Sequence, residues 1–207
     1  MKKATFLNDQ KEFVTIEIVT PYPNEQFVKC LLQTMDPNQE NELKWTPLHF
    51  ACKSGNTSLV QTLLEHKANI EAIQENEQTP LQLACENGHP FIVETLISHK
   101  ANIETCSKNG SSPLHYACGV GNLSIVEILL SNKANIEAKT KEDWTALHLA
   151  CQYGDASVVK LLISNNANIE RKMKDDHSPL HIACENGNSS VVEVLLSQKA
   201  NIESKNK

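Results

Sequence analysis

The sequence lacks a net positive charge and a long apolar segment, and both absences exclude classes of partner. Its 207 residues carry a formal net charge of −6, whereas a nucleic-acid-binding domain usually presents a basic patch. Polar and charged residues interrupt residues 1–23, so they lack the continuous apolar stretch of a signal peptide, and no later run approaches the length of a membrane span. We therefore predict neither a nucleic-acid partner nor a membrane partner.

The chain also lacks the motifs by which many enzymes are recognised. It contains no Gly-rich phosphate loop, no HExxH motif and no nucleophile-elbow motif. We therefore predict that the protein is not an enzyme and uses no cofactor. Its seven cysteines occur without an export signal, which favours reduced thiols and a cytoplasmic or nuclear location.

What the sequence does contain is a pattern that recurs every 33 residues without insertion or deletion. TPLHFACKSGN begins at Thr46, and the related segments are TPLQLACENGH from Thr79, SPLHYACGVGN from Ser112, TALHLACQYGD from Thr145 and SPLHIACENGN from Ser178. The tetrapeptide Ala-Asn-Ile-Glu keeps the same period. Self-similarity at a fixed period predicts a repeat architecture.

Each repeat predicts a pair of short helices. The opening Thr or Ser supplies an N-cap oxygen, and Pro occupies the first helical position in four of the five units. A glycine such as Gly55 ends this helix, because it takes a positive φ at little cost. Apolar residues at helical spacing, such as Val158, Leu161 and Leu162, predict the second helix. Two helices of this length cannot bury their apolar faces by themselves. We therefore predict that the helix pairs stack around a continuous core.

These residues make the sequence resemble the ankyrin repeat. TPLHFAC, VVEVLL and KANIE occupy the places of the family's TPLH-x-AA opening, its second helix and its Gly-Ala-Asp ending. The resemblance covers about residues 40–204, and it implies an all-α repeat fold: an α-solenoid of helix–turn–helix repeats with protruding hairpin-like loops.

The same register predicts the domain organisation. We divide the chain into an N-terminal extension (1–24), a degenerate capping half-repeat (25–45), five repeats (46–204, with units starting near 46, 79, 112, 145 and 178) and a C-terminal tail (205–207). Because Phe27, Cys30 and Leu31 stand 33 residues before apolar positions of the first full repeat, residues 13–45 are interpreted as an atypical N-terminal cap.

Two departures from the family pattern carry predictions. The glycine expected after the second helix is replaced by Lys67, Lys100, Lys133, Asn166 or Lys199. If these residues adopt a left-handed conformation, each costs about 1 kcal/mol relative to glycine.

The last repeat is as apolar as the internal ones, whereas a terminal repeat normally carries a polar outer face. We therefore expect an exposed apolar helix pair there, which belongs to a longer array or meets a partner or a second copy of the chain.

The recurring cysteines and histidines raise the question of chemistry. Equivalent positions in neighbouring helices lie about 8–10 Å apart, too far for a disulfide or a shared zinc ion. We therefore predict that the cysteines of the motif, from Cys52 to Cys184, are small buried core residues, and that Cys106 in a loop is exposed. The resemblance implies a structural role for the histidines, which bridge neighbouring loops by hydrogen bonds in this family. The positions are His49, His115, His148 and His181, with Gln82 in the second repeat.

The resemblance also implies protein recognition, through the loop tips and the exposed side of the first helices, which line a concave groove. In this chain those positions vary while the framework does not. The candidate partner-binding residues are Trp45, Lys53, Tyr116, Val120, Trp144, Tyr153 and His177. Aromatic side chains are favoured interface anchors, so we expect a hot spot around Trp144, Tyr153, Tyr116 and Val120. The alternative is that each tryptophan packs over its own loop.

Two functions stay open at this point. The first is an interaction scaffold that holds a partner protein or peptide in the groove. The second is a targeting or regulatory subunit, or a fragment of a longer chain, that positions a separate catalytic domain or enzyme.

Overall fold

The computed structural model describes residues 3–7, 13–17 and 36–203. Two antiparallel strands come first, β1 (Lys3–Leu7) and β2 (Phe13–Glu17), with Lys3 opposite Glu17. Five helix pairs follow in the described residues, and we call the first helix of each pair inner and the second outer. The inner helices are α1 (Pro47–Ser54), α3 (Pro80–Glu86), α5 (Pro113–Val120), α7 (Ala146–Tyr153) and α9 (Pro179–Glu185). The outer helices are α2 (Thr57–Glu65), α4 (Pro90–Ser98), α6 (Leu123–Ser131), α8 (Ala156–Ser164) and α10 (Ser189–Ser197).

This arrangement confirms the predicted all-α repeat fold of helix–turn–helix units. The two strands lie upstream of the repeats, within the predicted N-terminal extension. Residues 18–35, which include most of the predicted capping half-repeat, lie outside the described residues, as does the tail at 205–207. The boundaries of the cap and the tail therefore stay predictions.

Each inner helix begins with a capping box in which the third residue is His or Gln instead of the usual Glu. In α1 the backbone N–H of Thr46 donates to Nδ1 of His49 at 3.1 Å. In α3 the backbone N–H of Thr79 donates to Oε1 of Gln82 at 2.8 Å. These bonds satisfy a donor that the start of a helix leaves without an intrahelical partner.

The chain divides into two compact units, Met1–Asn102 and Ile103–Lys207. Within the first unit, α1 packs on α3 and α2 packs on α4. Within the second, the inner helices α5, α7 and α9 stack in order, and so do the outer helices α6, α8 and α10. Fully buried leucines fill the layers of both units: Leu48, Leu63, Leu81 and Leu96 in the first, and Leu114, Leu129, Leu147 and Leu162 in the second.

The connections between the helix pairs are the predicted hairpin-like loops. In the fourth repeat, for example, the backbone N–H of Thr140 donates to the carbonyl of Trp144 at 2.9 Å, which closes a tight turn. Neighbouring turns also pair within each unit. Glu75 N–H donates to the Leu43 carbonyl at 3.1 Å, and Lys141 N–H donates to the Asn109 carbonyl at 3.0 Å.

The recurring Ala-Asn-Ile-Glu segment forms a second connection between repeats. The Glu104 carboxylate accepts the backbone N–H of Asn135, which lies in the next repeat, at 2.8 Å. The Asn135 side chain in turn accepts the backbone N–H of Glu137 at 3.1 Å, and Glu137 accepts the backbone N–H of Asn168 at 2.8 Å. Asn and Glu therefore recur in the same register, because the Glu side chain bonds to the next loop while the Asn side chain closes the turn of its own loop.

The last repeat is less covered than the internal ones. Leu180 and Val192 are half-buried, although the equivalent Leu147 and Val159 are fully buried, and Leu196 is 45% exposed. The prediction of an exposed apolar surface on this repeat is confirmed.

The residues that replace the family's glycine after each outer helix all have positive φ. The values are 62° for Lys67, 71° for Lys100, 68° for Lys133, 67° for Asn166 and 62° for Lys199. A β-carbon is strained in this conformation, and Asn tolerates it better than Lys does. Each lysine therefore stores strain that glycine would relieve.

We expect Lys133→Gly to raise the unfolding free energy by about 1 kcal/mol, because glycine adopts positive φ without a steric penalty. A change of that size raises the melting temperature of a chain of this length by roughly 2–4 °C. Thermal unfolding followed by circular dichroism measures the shift.

Two variants control for other effects of this substitution. Lys133→Ala removes the same charge but keeps the β-carbon, so it should not raise the melting temperature. Asn166→Gly should give a smaller gain than Lys133→Gly. A melting temperature that stays the same or falls in Lys133→Gly would contradict the strain argument.

Candidate partner-binding surface

In three of the five repeats, the residue before the N-cap contacts the residue eight positions later, near the end of the inner helix. In the first repeat, Lys53 Nζ lies 4.8 Å from the centre of the Trp45 ring, in cation–π geometry. In the second, Gln78 Nε2 donates to a Glu86 carboxylate oxygen at 3.0 Å. In the fifth, His177 Nε2 lies 2.9 Å from a Glu185 carboxylate oxygen. We call these two places in each repeat the groove positions.

Trp45 packs on its own repeat and remains partly exposed. Its ring centre lies 4.9 Å from that of Phe50 and 5.8 Å from that of His49. Trp144 in the fourth repeat is also half-buried, with its ring edge-on to His148 at 6.1 Å. Each tryptophan therefore has one face held by the fold and another that solvent reaches.

In the third repeat both groove positions carry small residues. Its two residues there are Ser111 and Gly119, and neither has a side chain long enough to span the gap. The ring of Tyr153, from the fourth repeat, reaches over this point, with its Cε2 atom 3.7 Å from where a β-carbon on Gly119 would lie. Tyr153 is 63% exposed, and Val120, next to Gly119, is 50% exposed. The Tyr116 hydroxyl donates to Ser107 Oγ at 3.0 Å, which holds that ring against its own loop.

The fold does not explain why residue 119 is glycine. It lies inside α5 and is not among the glycines with positive φ, so its backbone does not require glycine. The 3.7 Å spacing is ordinary van der Waals contact, so alanine would fit. Glycine in a helix interior costs about 0.5–1 kcal/mol relative to alanine.

The buried histidines connect one repeat to the next. Nδ1 of His49 accepts hydrogen bonds from the Thr46 backbone and hydroxyl, so Nε2 carries the proton and donates to the carbonyls of Ala72 at 3.0 Å and Gln78 at 3.2 Å. His115 Nε2 donates to the carbonyl of Trp144 at 3.0 Å. The Nε2 atom of His148 points toward the carbonyls of His177 and Arg171 but makes no hydrogen bond of good geometry.

Burial keeps these histidines neutral. Desolvation lowers the pKa of His49 from 6.5 to about 4, although its bonds to the Gln78 and Ala72 carbonyls act in the opposite direction. Desolvation likewise lowers the pKa of His148 to about 4 and lowers the pKa of His115. Both ring nitrogens of His49 and both of His115 are held by the backbone or a cap, so these side chains are poorly placed for acid–base chemistry on a substrate.

Four of the five recurring cysteines are buried, and one is not. Cys52, Cys85, Cys118 and Cys151 are inaccessible to solvent, and burial raises the pKa of the Cys151 thiol to about 12. Cys184 is exposed, so the prediction of a core position is wrong there. The reason is that no further helix pair covers α9 within the described residues. Cys106 is exposed, as predicted.

Residues 36–203 contain no group of His, Cys, Asp and Glu that could hold a metal ion. None of the ten helices described is long and apolar enough to cross a membrane.

Comparison with protein families identifies the repeat. The family model described as ankyrin repeats (3 copies) matches residues 17–105, 68–140 and 114–206. The chain belongs to the ankyrin-repeat family. A search of curated proteins found no match. Ankyrin repeats generally mediate protein–protein interactions and are typically non-catalytic.

Within this ankyrin array, the structure brings together only some of the predicted site residues. Tyr153 lies beside Gly119 and Val120 in the second unit, and Lys53 lies over Trp45 in the first. His177 is held by Glu185. Sequence analysis missed Gly119, Glu86 and Glu185 as candidates. The complementary chemistry of Gln78 with Glu86, and of His177 with Glu185, eight residues apart, is a signal by which two of them could have been found.

The lowered histidine pKa values predict a pH-dependent stability. The unfolded chain binds protons at these histidines near pH 6.5, whereas folded His49 and His148 bind them only near pH 4. Their contribution is therefore fully present above pH 6.5 and is lost as the pH falls toward 4. Each histidine contributes at most about 3 kcal/mol to this loss. Urea denaturation across this pH range measures it.

Gln82 shows that glutamine can fill the same position, which supplies a matched variant. His49→Gln and His148→Gln should keep the cap and flatten the pH dependence. His99→Gln removes an exposed histidine at the C-cap of the outer helix α4 and serves as the control for loss of a surface histidine. Equal slopes for wild type and both buried-site variants would contradict the assignment.

Proposed function

We propose that this chain is a protein-interaction module that binds a partner protein or peptide across the loops and inner helices of its second unit. Membership of the ankyrin family supports protein binding in general. The choice of surface rests on the side chains at the ends of α5 and α7.

The observation that carries the proposal is the exposure of Tyr153 and Val120 at the ends of successive inner helices. Large apolar side chains on the surface of a stable domain often mark an interaction site. Tyrosine is a favoured anchor, because it buries a large area with few rotatable bonds and has a hydroxyl for a hydrogen bond.

Trp144 and Tyr116 extend this surface with rings that the fold already holds. The Trp144 ring lies edge-on to His148, and the Tyr116 ring is held through its hydroxyl by Ser107. A side chain that is ordered before binding loses less conformational entropy when the partner arrives. Trp45 and Lys53 in the first unit, and His177 in the fifth repeat, are proposed as secondary contacts.

The proposed module is not an enzyme, and it acts through the partner it holds. We also propose a cytoplasmic or nuclear location, which rests on the seven cysteines of the sequence.

We expect Trp144→Ala and Tyr153→Ala each to weaken partner binding by more than about 1 kcal/mol, because each removes a large aromatic contact at the centre of the surface. The partner is first captured from cell lysate by the wild-type chain and identified by mass spectrometry. Isothermal titration calorimetry with the purified partner then gives the affinities.

Phe91→Ala provides the matched control. Phe91 is an aromatic residue that is 74% exposed on the outer helix α4, away from the groove positions, so its replacement should leave the affinity unchanged. Wild-type affinity in both Trp144→Ala and Tyr153→Ala would contradict the proposed surface.

A further inference from the structure

We propose that the space over Gly119 receives one large apolar side chain of an extended partner peptide, and that the same peptide places a basic residue against Glu185. This inference rests on the proposed function, since it names the kind of partner that the surface of the second unit fits.

The apolar half of the proposal follows from the groove positions. Side chains from the two positions meet in the first, second and fifth repeats, as Trp45 with Lys53, Gln78 with Glu86, and His177 with Glu185. Ser111 and Gly119 leave that place open in the third repeat. The Tyr153 ring borders Gly119 on one side and supplies an apolar wall.

The fold does not explain why this position is glycine. Alanine would fit at ordinary contact distance, and helix propensity favours alanine. Glycine at this position weakens the helix and relieves no clash. Its presence is explained if a partner side chain occupies the space above it. The glutamine or glutamate found at the equivalent place in other repeats would occupy that room.

The basic half of the proposal follows from charge. Three residue pairs mark the C-terminal ends of the inner helices in the second unit: Gly119-Val120, Gln152-Tyr153 and Glu185-Asn186. Glu185 is the charged residue among these six, and its side chain is 52% exposed beside His177. Loop charges nearby pair with one another, as in Lys139 with Asp143 and Lys174 with Glu142. Oε1 of Glu185 lies 2.9 Å from Nε2 of His177, so the incoming cation is placed at the other carboxylate oxygen, Oε2.

The repeat spacing sets the distance between the two contacts. Gly119 and Glu185 are equivalent positions two repeats apart, and stacked helices lie about 8–10 Å from one another, so the contacts are roughly 16–20 Å apart. An extended chain advances about 3.3 Å per residue, so the apolar anchor and the basic residue should be about five or six positions apart in the peptide.

Selection from a random-peptide phage library against the wild-type chain tests this proposal. Enriched peptides should carry Leu, Ile, Met, Phe, Tyr or Trp about five or six positions from Lys or Arg. Synthetic versions of these peptides are then titrated against variants by fluorescence anisotropy. Gly119→Gln should weaken binding about tenfold or more by filling the space. Glu185→Gln should weaken it about fivefold and reduce its dependence on salt.

Controls separate binding from folding and from general charge. Gly119→Ala should raise the melting temperature. It should also weaken peptide binding, by a smaller factor than Gly119→Gln does. Glu193→Gln removes an exposed acidic side chain from the outer helix α10 and should leave the affinity unchanged. Circular dichroism of each variant confirms that its helices are intact.

The outcomes distinguish this inference from the proposed function. Peptides that bind wild type and Gly119→Gln equally, yet lose affinity to Trp144→Ala or Tyr153→Ala, would overturn the role of Gly119 and leave the proposed surface standing. Peptides insensitive to all four substitutions at Gly119, Glu185, Trp144 and Tyr153 would overturn both. A selection that enriches no peptide with the stated spacing would overturn the inference.

Discussion

The structure depends on one recurring hydrogen-bonded side chain, the His or Gln at the third position of each inner helix. Its first polar atom accepts the backbone N–H of the N-cap residue, so it defines where the helix begins. In His49 and His115 the second polar atom donates to a carbonyl in the loop of the next repeat. One buried, neutral ring thereby ties the start of a helix to the position of the following loop.

That bond has a direct consequence for recognition. The carbonyl that His115 holds belongs to Trp144, and the one that His49 holds belongs to Gln78, which is the equivalent residue. The backbone at the groove position is therefore placed by an invariant part of the repeat, while its side chain is free to vary. The same division appears in the Asn–Glu connections, where Glu104 and Glu137 accept backbone N–H groups of the next repeat and Glu137 also accepts from Arg171. An interaction surface can change its specificity in this arrangement without altering the contacts that stack the repeats.

The sequence predicted the framework well because local rules and the period agree. Thr or Ser starts each inner helix, with Pro next in four of the five, a glycine near its end stops it, and the apolar residues between them face the next pair. The side chains of the candidate surface were harder to predict, because their contacts join residues eight apart or one repeat apart. The position of Tyr153 beside Gly119, and the exposure of Cys184 where its equivalents are buried, depend on what the neighbouring repeat covers.

The sequence by itself determined that this chain forms stacked helix pairs, where each pair begins and ends, and which residues repeat in register. Those properties follow from capping, helical periodicity and the 33-residue spacing, all of which act over short distances. Only the tertiary structure decided which variable side chains contact one another and which recurring residues become exposed in the last repeat. It also decided that the space at Gly119 would accept alanine. These outcomes depend on how one repeat lies against the next, and that placement results from packing and long-range hydrogen bonds.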